Sequence, residues 1–190
     1  MRSKHGPNSW DDYLNVHQRR IATFADHFIV EDRVTFTRTA SQVLWEGEIL
    51  SAGGIEIHVR KRQTIQYRQG RPWVHAEDYS YQVIRRHGRD VTPMFRYDNS
   101  DHFDHPDAHH RHQFDANGRE ILPAAHVGEV GWPTLGDVLE EARTAWLATR
   151  DAGFLTRWPS SALRRIRAAG GWLVPTSSPS GPPSHCVLAA

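Results

Sequence analysis

Between residues 43 and 97 the chain runs through stretches rich in β-branched and aromatic side chains, separated by turns that carry glycine. Residues 43–50, 55–67, 73–86 and 92–97 read as strands. In the second of them Ile55, Ile57 and Val59 fall on one side, with Glu56, His58 and Arg60 on the other. Ser51-Ala52-Gly53-Gly54, Arg68-Gln69-Gly70-Arg71-Pro72 and Arg86-His87-Gly88-Arg89-Asp90 are the turns between them. Connections this short join antiparallel neighbours, because a parallel pair needs a crossover of a dozen residues or more. Val34 and Phe36, alternating with Arg33, Thr35 and Thr37, add a further strand. The expectation is an antiparallel meander of about five strands.

Helical periodicity flanks this region. Trp10, Tyr13, Leu14, His17, Ile21, Phe24 and Phe28 recur at three- and four-residue spacing, behind Ser9 as N-cap and with Asp11 and Asp12 in the first turn. The helix is expected to end near Phe28. Thr134 caps a second helix over 135–150, with Leu135, Val138, Leu139, Ala142, Ala145 and Trp146 on one face. Helices on one face of an antiparallel sheet make an α+β domain. Residues 1–8 read as a flexible leader and 9–152 as the single domain. Residues 153–190 read as a tail, first basic and then rich in proline and serine, with too little apolar surface to fold.

The bulk numbers exclude some classes. The 190 residues carry a formal net charge of +1, which does not mark a nucleic-acid binder by itself. One cysteine, Cys186, permits neither an internal disulfide nor a cysteine-based zinc site. The first dozen residues hold no apolar signal segment, and no apolar run approaches the roughly 20 residues of a membrane-spanning helix. A cytoplasmic protein with no membrane association is expected.

The chemistry concentrates in one segment. Of 13 histidines, His102, His105, His109, His110 and His112 fall together, just after a strand ending Arg96-Tyr97-Asp98-Asn99. Three readings fit. A polar loop is often rich in Asp, His and Pro without function. A metal site needs several neutral imidazoles and carboxylates, for which Asp98, Asp101 and Asp104 are to hand, but no specific ligand spacing is present. Acid–base catalysis uses imidazole because it titrates near neutral pH. At a phosphodiester one histidine serves as base and another as acid, with an arginine on the phosphate. Arg96 and Arg111 are the candidate arginines, and Asp98 would orient an imidazole. In an extended chain His110 and His112 share a face, and His109 lies opposite.

Arg96-Tyr97-Asp98-Asn99, the Asp101-His102-Phe103 group and Ala108-His109-His110-Arg111-His112 together resemble the TumE family of toxin–antitoxin toxins, over roughly residues 30–147. That family's pattern is Arg-Tyr-Asp-Asn, then Pro-His-His, then Pro-His-His-Lys-His. Here Asp101 and Ala108 replace prolines, Phe103 replaces a histidine and Arg111 replaces a lysine. The resemblance implies a toxin of a two-gene module, with a cognate, DNA-binding antitoxin as partner. Ribonuclease action is the expectation drawn from the His/Arg chemistry together with what such toxins commonly attack. His109, His110, His112 and His102 are then the candidate catalytic histidines, with Asp98. Arg96, Arg111 and Asn99 are the candidate substrate-binding side chains. Neither metal nor any other cofactor is expected. The competing class is a non-enzymatic module in which the same loop binds a partner or a metal.

A second basic feature lies on the hairpin at 56–71, where His58, Arg60, Lys61, Arg62, Arg68 and Arg71 stand near Tyr67 and Trp73. The pattern suits a groove for RNA backbone and stacked bases. A solvated hairpin face is the simpler reading and is favoured.

Overall fold

A computed structural model of the chain describes residues 8–99 and 108–157. Residues 1–7 of the expected leader, His102 with its neighbours, and the tail from residue 158 onward lie outside the described residues. Two compact units divide the chain, Met1–Arg150 and Asp151–Ala190. Of the second, only the helical backbone of residues 151–157 is described.

The order of elements is β1 (Asn8–Ser9), α1 (Trp10–Ala25), β2 (Ile29–Asp32), β3 (Thr35–Arg38), β4 (Gln42–Ser51), a 3-10 turn (Ala52–Gly54), β5 (Ile55–Arg68), β6 (Arg71–His87), β7 (Asp90–Asp98), β8 (His110–Phe114), β9 (Glu120–His126), the short α2 (Gly128–Gly131) and α3 (Leu135–Arg157). One sheet holds all nine strands, in the order β2-β4-β5-β6-β7-β8-β9, with β1 on β6 and β3 on β4. Every pairing is antiparallel. The α+β arrangement is the expected one, but the sheet has more than five strands. The four extra strands are the two-residue β1, which takes Asn8 out of the expected leader, β2 ahead of the expected strand at Val34 and Phe36, and the β8–β9 hairpin.

Two local devices shape the sheet. β2 and β3 pair with successive parts of β4, and the chain crosses over at Arg33 and Val34. Gly47 sits under that crossing with φ 147°, and a Cβ there would collide with the Arg33 carbonyl oxygen. Only glycine combines that backbone conformation with so close an approach. In the hairpin of β5 and β6, 14 and 17 residues long, the last pairs run from Ile65 and Val74 to Arg68 and Arg71. Tyr67 near its tip is exposed.

α1 starts as its sequence dictates, with Ser9 Oγ accepting from Asp12 N at 3.1 Å. It ends at Ala25, earlier than the periodicity implies, because Phe28 already belongs to the turn into β2. The Phe28 carbonyl accepts from Ala52 N at 2.7 Å, and its ring is buried. α3 begins with a reciprocal cap, in which Thr134 N and Oγ1 donate to Asp137 Oδ2 and Asp137 N donates back to Thr134 Oγ1.

Both helices cover the same face. Phe24 and Phe28 from the α1 side, and Val138, Leu139 and Ala142 from α3, join Trp45, Ile49, Ile55, Ile57, Val59, Val83 and Phe95 in one buried cluster. Each fully buried aliphatic side chain there contributes about 1.5–3 kcal/mol. Trp45 is the hub of an aromatic group, with edge contacts to Phe36, Tyr13 and His17 at 4.2, 4.9 and 5.2 Å between centroids. The other sheet face carries the alternate, polar residues.

Candidate active site

Strand register builds the site. On the open face one cross-strand row runs Glu48, His58, Gln82, Arg96, His112. The next row runs Glu46, Arg60, Ser80, Asp98, His110, His126. Residues directly opposite each other stand close enough for their side chains to interact. Five or six strands therefore contribute to a band of charged and imidazole groups. A groove of about 760 Å³, lined by Arg33, Glu48, His58, Arg60, Arg96 and Asp98 among others, runs along this band.

His112 stands where the groove meets β8. Its Nδ1 is 2.5 Å from Glu120 Oε1, and its Nε2 is 3.5 Å from Asp98 Oδ2 and 3.4 Å from an Arg96 terminal nitrogen. Arg96 Nε lies 2.5 Å from Asp98 Oδ2. That contact is an ion pair by distance only, since the Nε–H is not directed at the carboxylate and makes no hydrogen bond. The His110 ring centroid is 6.2 Å from that of His112 and 4.5 Å from that of His126.

The remaining expected site residues go elsewhere. His109 is buried on the helix-covered side, stacked on Trp132 at 4.4 Å, and its Nδ1 shares a hydrogen bond with the Tyr79 hydroxyl at 3.1 Å. Burial raises the Tyr79 pKa, so that hydroxyl keeps its proton. Arg111 also faces the helices. It donates to Glu141 Oε1 on α3 at 2.5 Å and lies over the rings of Phe95 and Tyr97. Tyr97 donates to the other Glu141 oxygen at 2.9 Å, and burial with that carboxylate pushes its pKa up to about 12. Asn99 is buried as a strand clamp, accepting from Tyr79 N and donating to the Glu77 carbonyl. Thus Asp98, Arg96, His110 and His112 come together, while His109, Arg111 and Asn99 do not join them. His102 lies outside the described residues.

Glu120 and His126 are the members of this cluster that sequence reasoning missed. Both sit on β9, a strand absent from the expected meander. Asn117-Gly118 is a hairpin signal between them and β8. Asp115 Oδ1 accepts from Asn117 N and Arg119 N to close that turn.

One further group on this face could hold a cation: Glu48, Glu56 and His58 bring ligand atoms within 4.8 Å of one another. Arginines already occupy both carboxylates. Arg33 bonds Glu48 at 2.9 Å, and Arg86 takes both Glu56 oxygens and holds its pKa below the usual carboxylate value. The arrangement fits a charge-compensated network better than a metal centre. No described helix is long and apolar enough to cross a membrane. Comparison with protein-family profiles, with curated proteins and with solved structures gives no match.

Proposed function

We propose that the open face is a phosphodiester-cleaving site acting on RNA, and that the chain is the toxin of a toxin–antitoxin pair. The observation that carries the catalytic reading is His112, braced by Glu120 on one nitrogen and facing Asp98 and Arg96 on the other, with His110 6.2 Å away. A phosphate bonded to two imidazoles needs roughly 2.8 Å of hydrogen bond on each side. The spacing of His110 and His112 accommodates it, whereas the 4.5 Å between His110 and His126 is too short.

In this reading one imidazole takes the proton of the ribose 2′-hydroxyl as that oxygen attacks phosphorus. The other gives a proton to the departing 5′-oxygen. Glu120 orients His112 and stabilises its ring when it carries charge, as a carboxylate does for a catalytic imidazole. Arg96 meets the charge that builds on phosphate. The nucleophile comes from the substrate itself, so the pair of imidazoles completes the proton transfers. Arg60 along the groove provides a contact for a neighbouring phosphate. The resemblance to TumE toxins supplies the biological frame, a cytoplasmic toxin held by a cognate DNA-binding antitoxin.

The test is incubation of the purified chain with an RNA oligonucleotide and its all-deoxy counterpart. RNA should be cut to products ending in 2′,3′-cyclic phosphate, and the deoxy strand should survive. Intact RNA with folded protein would refute the catalytic reading. Expression with and without the neighbouring gene tests the toxin frame, which predicts growth arrest only without it.

A further inference from the structure

On the opposite face of the same strands lies a second, separate cavity. It has about 270 Å³ and is enclosed by α1, the sheet and the start of α3. Its walls are largely aromatic and aliphatic, including Tyr13, Trp45, Tyr81, Val59 and Leu135. Into this apolar setting the sequence places Lys61, which is 7% exposed. Lys61 Nζ donates to the Tyr13 hydroxyl at 2.5 Å. The Tyr81 hydroxyl also hydrogen-bonds this Nζ, which leaves one of the ammonium's three donors for a further acceptor.

Two other buried polar atoms on the cavity wall are left without partners among the described residues. They are the Trp45 indole Nε1, a donor, and the Gln63 Oε1, an acceptor. Both side chains are almost fully buried. A buried polar atom with no hydrogen bond is destabilising, and two of them on one cavity wall, beside a buried ammonium, call for an occupant. Two cations on the lining stand against one carboxylate, Asp137. The cations are Lys61 and Arg20, the His17 ring is engaged by Asp32, and Asp137 is used in capping α3. The first turn of α3, at Leu135 and Gly136, adds the positive end of a helix dipole. Val16 and Arg20, both exposed, stand at the outer side.

We infer that this cavity binds a small organic monocarboxylate with an apolar body. Its carboxylate meets Lys61 and the Trp45 N–H, its hydrocarbon part fills the aromatic walls, and Gln63 Oε1 receives a donor on the ligand or an ordered water. The site is independent of the open-face cluster, because alternate residues of β5 serve the two faces: Val59, Lys61 and Gln63 here, His58 and Arg60 there.

Titration of the full chain with sodium acetate, butyrate, benzoate and indole-3-acetate, followed by tryptophan fluorescence and calorimetry, tests this. At least one acid should bind saturably, one per chain, and at least tenfold tighter than its neutral alcohol and its amine counterpart. Lys61→Met and Trp45→Phe should each weaken it tenfold or more, and His112→Ala should leave it unchanged. Trp45→Phe keeps an aromatic ring, smaller than the indole, and removes the N–H, so it remains informative if Lys61→Met does not fold. Saturation by no acid, equal binding of the neutral alcohol, or undiminished binding in the folded variants would each overturn the inference. The first of these outcomes would mean that water alone fills the cavity.

Discussion

His109 and His110 are neighbours in the chain and lie on opposite faces of the sheet: His109 stacks on buried Trp132 at 4.4 Å, and His110 meets His126 at 4.5 Å. The strand's two-residue period forces this divergence. It gives the two adjacent histidines different work, and their substitutions should separate stability from chemistry. His109→Ala removes a stacked ring and leaves the Tyr79 hydroxyl without that partner. A loss of about 1–3 kcal/mol is expected, which lowers the melting temperature by roughly 2–4 °C for each kcal/mol in a chain of this size. His110→Ala should melt close to the parent. Calorimetry of the two variants checks the difference, and equal melting temperatures would contradict the assigned faces.

Activity should respond in the reverse sense. His110→Ala and His112→Ala are each expected to lower single-turnover RNA cleavage by about 10²–10⁴-fold, the size of a proton-transfer contribution. Circular dichroism should confirm that both are folded. Glu120→Gln retains the shape of the brace and removes its charge, so it should slow cleavage by a smaller factor and leave RNA binding unaltered. A His112→Ala variant that cuts at the parental rate would remove histidine acid–base chemistry from this face.

Arg111 separates structure from substrate contact. It pairs with Glu141 across the sheet–helix interface and covers two aromatic rings. A double-mutant cycle of Arg111→Ala and Glu141→Ala should yield a coupling of about 1 kcal/mol in urea unfolding, at the upper end for a partly exposed pair. Arg111→Met should preserve RNA affinity, while Arg96→Met should weaken it. An affinity loss on Arg111→Met equal to that on Arg96→Met would mean that Arg111 reaches the substrate.

Glu56 makes stability depend on acid. Its hydrogen bonds from Arg86, then burial against them, then His58, leave the carboxyl pKa below the ordinary 4.5 in the folded chain. A depressed folded value means that the unfolded state binds the proton more readily. The stabilisation is therefore complete above the unfolded pKa and is lost as pH falls through the folded one. Urea midpoints for the parent and Glu56→Gln should differ most near pH 7 and converge in acid below pH 4.5. A gap that is constant across this range would show that the Arg86 pair contributes no pH-linked stability.

Strand periodicity made the fold class legible from the residues alone. Alternation in β5, the glycine turns and the caps at Ser9 and Thr134 are local properties, and local steric rules fix them before any long-range contact forms. The same two-residue period correctly set His110 and His112 on one face and His109 on the other. The β8–β9 hairpin was less visible, because Pro123 and the exposed Ile121 and Leu122 blur its alternation. Only tertiary structure decided which face the helices would cover, and so that Arg111 serves Glu141 while Arg96 faces the imidazoles. Register did the rest. It brought Arg96, Asp98, His110 and His112 beside Glu120 and His126, and it placed Lys61, Trp45 and Gln63 around one cavity under α1. These groups meet because strand pairing and helix docking sum many weak contacts over the whole sheet, and no window of sequence contains that sum.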